Sequence, residues 1–365
     1  MLNRLLSHDL PRSRWLAAAL LLVFVGLALA PFVFEGSRAL SVAAKICIFV
    51  VLIASYDLLL GYTGIVSFAH TMFFGIGAYG VAIASTRLGE GFASIAIGTL
   101  LALLVSLLLA LMIGLFSLRV KAIFYAMITL AVASAFLTLA SQLSEFTGGE
   151  DGLTFRAPAW LSPSFEPLEQ PVFGLMIDGK ILSYYLLFVV SSALFLALLR
   201  IVNSPFGRVL QAIRDNDFRA EAIGFRVVAY RTLSNMLAAG FATLAGVLLA
   251  LWLRSTGPET TLSFEVMLDV LLIVVIGGMG TLYGAVVGSA LFLLAQGYLQ
   301  SLLKLAHDAL TGLPQLPAIV SELVSPDRWL LWLGLCFVLC VYHFPSGIVG
   351  RLRAAGGAHS ASAPH

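Results

Sequence analysis

The sequence predicts an all-α fold: a polytopic transmembrane helical bundle of about ten segments with glycine-broken helices. Three observations predict it. Eight uncharged stretches of nineteen residues or more fill just over half of the 365-residue chain, and a helix needs about 20 apolar residues to cross a bilayer core of roughly 30 Å. Hydrophobic residues are 60% and charged residues 11% of the chain, against about 45–50% and about 25% in soluble domains, so charge is too scarce to coat a soluble surface. The stretches are also far too long for barrel strands of about 10 residues, and only helices and closed barrels satisfy every backbone group in lipid. A net charge of +2 gives no reason to expect a nucleic-acid partner; the bilayer is the expected solvent.

Segment 15–34 follows Arg4, Arg12 and Arg14 and contains Ala28-Leu29-Ala30, which mimics a signal peptide. Its apolar run exceeds an h-region of about 7–15 residues, and Pro31 sits where cleavage would fall, so an uncleaved first span is expected. Segments 39–60 and 61–86 follow, then the plain apolar runs 92–118 and 121–144. Next comes an acidic loop, 145–180, with Glu145, Glu150, Asp151, Glu166, Glu169 and Asp178. Segment 181–202 leads into a basic loop, 203–231, with Arg208, Arg214, Arg219, Arg226 and Arg231. Segments 232–253, 263–279, 281–303 and 329–345 complete the count.

Arg and Lys favour the cytoplasmic side. With ten crossings, the N-tail, Arg119 and Lys121, the 203–231 loop, and Arg351 and Arg353 share that side, so both termini are expected in the cytoplasm. The 145–180 and 304–328 loops then lie outside. The expected organisation is an N-tail at 1–14, a membrane domain at 15–345 and a C-tail at 346–365. From residue 354 the tail's Ala, Gly, Ser and Pro content reads as disordered.

Two segments depart from a uniform span. Gly61-Tyr62-Thr63-Gly64, followed by Ser67 and His70, puts polar and flexible residues where a span should be apolar. Gly277, Gly278 and Gly280 interrupt the apolar run 270–303. Broken backbone at membrane depth is tolerated only where it is buried in protein or lines a cavity, and glycine-interrupted segments in both halves of a transporter point to its substrate path. Each break follows an apolar run holding a lone acid, Asp57 or Asp269. Chance and close helix packing are the plainer readings.

Asp57 reads either as a carboxylate lining a path or capping a helix break, or as a structural group accepting bonds from the 61–64 turn; an intramembrane acid costs about 2.5–3.5 kcal/mol to insert. Tyr62, Thr63, Ser67 and His70 are candidates for the same path, with a satisfied structural histidine as the plainer reading of His70. No second ligand stands at helical spacing from His70, so no metal is expected. Cys47, Cys336 and Cys340 read as small hydrophobes in packed helices. Val209, Leu210 and Ile213 stand at helical spacing in the basic loop, which predicts a short amphipathic helix there.

The run LLLGYTGIVSFAHTMFFGIGAY at 58–79 resembles the signature of bacterial branched-chain amino-acid ABC transporter permeases of the LivM type. The stretch from Ser204-Pro-Phe-Gly-Arg208 to Glu221-Ala-Ile-Gly224 resembles the same family's ATPase-facing loop. VIGGMGTLYG at 275–284 and TGGEDG at 147–152 are similar to two further family stretches. The resemblance implies import of branched-chain amino acids or a related small polar solute across the bacterial inner membrane. It also implies a second, related permease, two cytoplasmic ATPases that bind ATP and Mg, and a periplasmic substrate-binding protein. The chain has no G-x-x-x-x-G-K-[ST] to cradle a nucleotide, so it is expected to be no enzyme and to hold no cofactor of its own. Arg208, Arg214, Glu221 and Gly224 become the expected ATPase-coupling residues. Glu150 and Asp151 open a proline-bearing loop (Pro158, Pro163, Pro167, Pro171) that either docks the binding protein or merely connects. An ion-coupled secondary transporter using Asp57 and Asp269, and a passive urea or amide channel, are the competing readings; neither needs a coupling loop.

Overall fold

A computed structural model describes residues 13–33, 36–117, 122–162, 165, 178–311 and 325–358. Arg4, Arg12, Arg119, Lys121, Glu166, Glu169, Pro163, Pro167 and Pro171 lie outside the described residues. The helices, in chain order, are α1 (Arg14–Val33), α2 (Ser37–Thr63), α3 (His70–Leu88), α4 (Phe92–Ser117), α5 (Ala122–Gln142), the single turn α6 (Ser144–Thr147) and α7 (Gly179–Val202). Then come α8 (Pro205–Asp215), α9 (Asp217–Ala222), α10 (Val227–Leu253), the turn α11 (Pro258–Thr261), α12 (Phe264–Gly277), α13 (Leu282–Thr311), α14 (Trp329–His343) and α15 (Gly347–Ala358).

Among the described residues, nine helical stretches are long and apolar enough to cross a membrane. The tenth expected segment is present as α3, which falls short of that apolarity. Fourteen of its nineteen residues are buried, and a helix that meets protein on all sides has no need of a lipid-compatible surface. An 18-residue stretch of α1 and one of the α14 region are each only 17% buried, against 72% in α2, so α2 is central and the other two are peripheral. No residue of α14 is buried, and Cys336 there is exposed rather than packed between helices.

The centre is held by small residues. A Cβ on Gly77 of α3 would overlap the Thr243 carbonyl of α10, and one on Gly246 would overlap the Phe74 carbonyl of α3. Ala238, Ala239, Ala242 and Ala245 are fully buried on the same helix. Without a hydrophobic force between helices in lipid, this close backbone approach and interhelical hydrogen bonds supply the association. The bonds include Thr243 Oγ1 to Ser106 Oγ at 2.7 Å and Asn235 Nδ2 to the Ala110 carbonyl at 2.9 Å.

Pro31 inside α1 removes the N–H that would serve the Leu27 carbonyl one turn earlier. The buried Tyr184 hydroxyl of α7 takes its place, donating to Leu27 O at 2.6 Å. Tyr184→Phe orphans that carbonyl in an apolar setting and is expected to destabilise the protein by about 1–2 kcal/mol, read as a lower midpoint in a denaturation series. Tyr185→Phe, whose hydroxyl donates to Ala28 O, is expected to cost less, because Ala28 has a helical partner of its own.

At one end of the bundle a two-stranded antiparallel ladder joins β1 (Leu153–Thr154) to β2 (Ser255–Thr256). Two-residue strands carry no readable period, and the sequence reading had no strands there. Arg254 bends the chain at a positive φ of 58°, and its guanidinium donates to the Leu161 carbonyl at 2.6 Å. The loop after α5 is thereby tied to the end of α10. Because α10 runs about 40 Å (27 residues at about 1.5 Å each) from α9 to β2, the α8–α9 pair lies at the opposite end.

α15 covers Gly347–Ala358, so the stretch expected to be disordered from residue 354 starts within a helix, and its remainder lies outside the described residues. Ile348, Val349 and Leu352 pack onto the core, an apolar stripe that the surrounding small residues hid.

Candidate transport site

The first glycine motif is not a break at Gly61. Gly61 lies inside α2, and the chain leaves the helix only at Gly64, in the left-handed conformation (φ 73°) that glycine adopts without a Cβ penalty. The boundary expected between residues 60 and 61 therefore falls later, and α3 begins at His70. The His70 imidazole pairs with Ser55 Oγ at 2.9 Å. Ser55 stands eight residues, about 12 Å, above the end of α2, so the segment 64–69 climbs back beside the helix it has just left. Six extended residues reach up to about 20 Å, which is enough.

Side chains alternate along this climb. Ile65, Ser67 and Ala69 are buried, whereas Val66 and Phe68 are half-buried and open outward. The Phe68 amide is anchored by Thr129 Oγ1 of α5 at 3.1 Å.

A second broken span meets the first. α12 is 14 residues long, about 21 Å, and with the turn α11 makes up the apolar stretch Pro258–Gly277. It starts within the bundle: Leu262 lies where a Cβ on Gly75 would stand, and the Phe264 ring is 6.1 Å from that of Phe68. Beside this contact, Val66 and Phe68 line an apolar cleft of about 320 Å³ with Ile123, Ala126, Met127 and Leu130 of α5.

Of the polar residues expected to line a path, none presents its side chain to this cleft. Thr63, Ser67 and His70 are 0% exposed and Tyr62 5%. Thr63 bonds Ser234 at 2.9 Å, and Ser67 Oγ accepts from its own segment at Ala69. They hold the broken backbone in place, which is why polar residues accompany the break. The outward residues, Val66 and Phe68, were hidden because an extended stretch was read as helix. The period-2 alternation over 65–69 was the available signal.

The second motif ends α12 at Gly277 and turns at Gly278 (φ 112°) and Gly280 (φ 77°). A Cβ on Gly277 would overlap the Gly284 carbonyl, so Gly277 is a close-approach position, not a turn. The two motifs touch. Asp57, 2% exposed, accepts a hydrogen bond at Oδ1 from the Gly280 amide at 2.8 Å. It thus serves the second glycine turn, not the 61–64 turn. A Cβ on Gly61 would overlap both Asp57 Oδ1 and Gly280 N. Asp269 lies elsewhere, on α12 against Gln296 of α13.

The helix expected around Val209, Leu210 and Ile213 is α8, with Leu210 and Ile213 buried. Arg208, Glu221 and Gly224 are exposed at this end. So are Phe218 (82%) and Ile223 (71%), which the sequence reading did not single out. Arg214 differs: it donates from Nη1 to the Gly61 carbonyl, turning from the surface towards α2. At the opposite end Glu150 and Asp151 are exposed beside the β1–β2 ladder. Among the described residues no three His, Cys, Asp or Glu side chains come together to hold a metal.

Among the described residues, nine apolar stretches long enough to cross a membrane, the buried helix α3, two glycine turns that meet inside the bundle and an amphipathic helix pair at one end define a polytopic membrane protein. Residues 38–324 match the family described as "Branched-chain amino acid transport system / permease component". The chain belongs to that family. It is 25% identical over 287 residues to the High-affinity branched-chain amino acid transport system permease protein LivM of Salmonella typhimurium, covering 75% of this chain and 67% of that one. The LivM of Escherichia coli is also 25% identical, over 285 residues, covering 74% and 66%. The chain therefore spans about two thirds of those relatives. The Probable branched-chain amino acid transport permease protein LivM of Methanocaldococcus jannaschii is 24% identical over 300 residues, 78% of this chain and 80% of that one. No solved structure matches the chain.

Proposed function

We propose that this chain is the membrane permease subunit of an ATP-driven importer in the inner membrane, moving branched-chain amino acids or a related small polar solute by alternating access. The observation that carries this reading is the family match across residues 38–324, together with two glycine turns that meet inside the bundle. The solute passes along the face carrying Val66, Phe68 and Phe264, an apolar surface that suits a branched aliphatic side chain. Both termini and the α8–α9 pair face the cytoplasm, following the excess of arginine there. The β1–β2 end with Glu150 and Asp151 faces out, towards a substrate-binding protein.

The chain pairs with a second, related permease, and two ATPases bind the nucleotide and Mg. The α8–α9 pair receives them through Arg208, Glu221 and the turn at Gly224. Phe218 and Ile223 strengthen this reading, because a large aromatic side chain 82% exposed among charges is a typical anchor for a partner's pocket.

A pull-down from detergent-solubilised membranes tests the assignment. Wild type is expected to recover two ATPases and a second permease. Glu221→Lys combined with Gly224→Pro is expected to lose the ATPases, since Gly224 stands at φ 99° and proline is fixed near about −65°. Recovery of this chain alone from both samples contradicts the reading.

A further inference from the structure

Three helix ends converge at one point beneath the two broken spans, and a single arginine joins them to the coupling helix. α2 ends at Thr63, α12 ends at Gly277 and α13 begins at Leu282. The last carbonyls of a helix have no partner within it. Gly61 O is one of these, since the Ile65 amide that would serve it bonds Leu59 O at 3.0 Å instead. Arg214 of α8 fills that vacancy.

The glycines of the cluster make room for this side chain. A Cβ on Gly64 would stand 2.8 Å from Arg214 Cγ, and a Cβ on Gly280 would stand 3.1 Å from Arg214 Nη1. Asp57 holds the far side of the same turn through the Gly280 amide, and the guanidinium is the cation that faces its carboxylate. The charges also suit the helix ends: a cation at the C-termini of α2 and α12, an anion near the N-terminus of α13. From this point α12 runs about 21 Å as one rigid element to Phe264, which touches Phe68.

We propose that Arg214 is a positioning residue: a latch that ties the coupling helix to both glycine turns, so that a shift of α8 moves α12 and with it the Phe264–Phe68 contact beside the cleft. It is not an ATPase contact. Its link to Asp215, at 3.6 Å between side chains 42% and 72% exposed, is too solvated to compete with this role. The proposal rests on the ATP-driven reading above and assigns where its motion enters the membrane domain.

The test uses the complete transporter, with its ATPases, second permease and binding protein, in proteoliposomes. The probe is radiolabelled leucine, and uptake and ATP hydrolysis are read together. ATP-driven uptake by wild type establishes the parent reading independently of the latch. Arg214→Met is expected to leave the assembly intact and ATP hydrolysis within about twofold, while leucine moved per ATP falls about tenfold or more. Arg214→Lys, which keeps a donor and the charge, is expected to recover most of that ratio. Asp57→Asn, which keeps the Oδ1 acceptor, is expected to stay within about threefold of wild type. An unchanged ratio in Arg214→Met overturns the proposal. Loss of the ATPases from the Arg214→Met complex also overturns it, because Arg214 would then be a docking residue.

Discussion

Gly246→Ala is expected to destabilise the folded protein by at least about 3 kcal/mol, although it adds one methyl group to a helix that would ordinarily welcome alanine. The added Cβ would overlap the Phe74 carbonyl of α3, and a backbone oxygen inside a helix cannot swing aside as a side-chain tip can. The α3–α10 contact would have to open along its length, parting Gly77 from Thr243 as well. Overpacking costs about 1–3 kcal/mol where side chains can shift, and occasionally more; this site belongs at or above the top of that range. Gly240→Ala is the matched control. It lies on the same helix, and its Cβ would meet only Leu107 Cδ2 at 3.8 Å. There the helix propensity of alanine should show alone, as a gain of about 0.5–1 kcal/mol. Denaturation midpoints of the two variants in one detergent decide the matter, and equal shifts would show that α3 and α10 do not pack this closely.

Gly61→Ala is expected to be the most damaging small change near the transport site. Its Cβ would occupy the position of Asp57 Oδ1 and press on the Gly280 amide. Both partners of a buried hydrogen bond would be driven apart, leaving a carboxylate that is 2% exposed without its donor. A buried group stripped of its partner costs about 1–3 kcal/mol, more for a charge, in addition to the steric term. Two losses should appear together: a lower denaturation midpoint and uptake reduced at least about tenfold. Gly334→Ala, with nothing within 4 Å of the added atom, should change neither. A Gly61→Ala protein with normal stability would mean that the two glycine motifs do not meet.

Much of the fold was legible because the bilayer forces the issue. A run such as 92–118 has one structural solution in lipid, and α4 occupies it. What the sequence hid is where a glycine is a turn and where it is only a place of close approach. Gly61 and Gly64 are the same residue three positions apart. One is helical against Gly280, and the other ends the helix. That difference is set by a partner more than 200 residues away, which no local pattern records. The polar residues at 62–70 misled for a related reason. Polarity marked the break correctly, but the side chains face inward to bind the broken backbone, leaving Val66 and Phe68 to face the cleft. Asp57 was open between two roles, and its Oδ1 accepts from an amide at a glycine break, but at the second break and not its own. Arg214 looked like its neighbours in a basic loop, and only its direction separates it from Arg208.

The proposed function requires that ATP drive solute through this permease only as part of a larger assembly. Leucine uptake into proteoliposomes, with and without enclosed ATP, for this chain alone and for the complete transporter, tests it most directly. Uptake is expected only from the complete transporter and only with ATP present. ATP-independent uptake by this chain alone would contradict the claim, and a proton dependence of that uptake that vanishes in Asp57→Asn would put an ion-coupled carrier in its place.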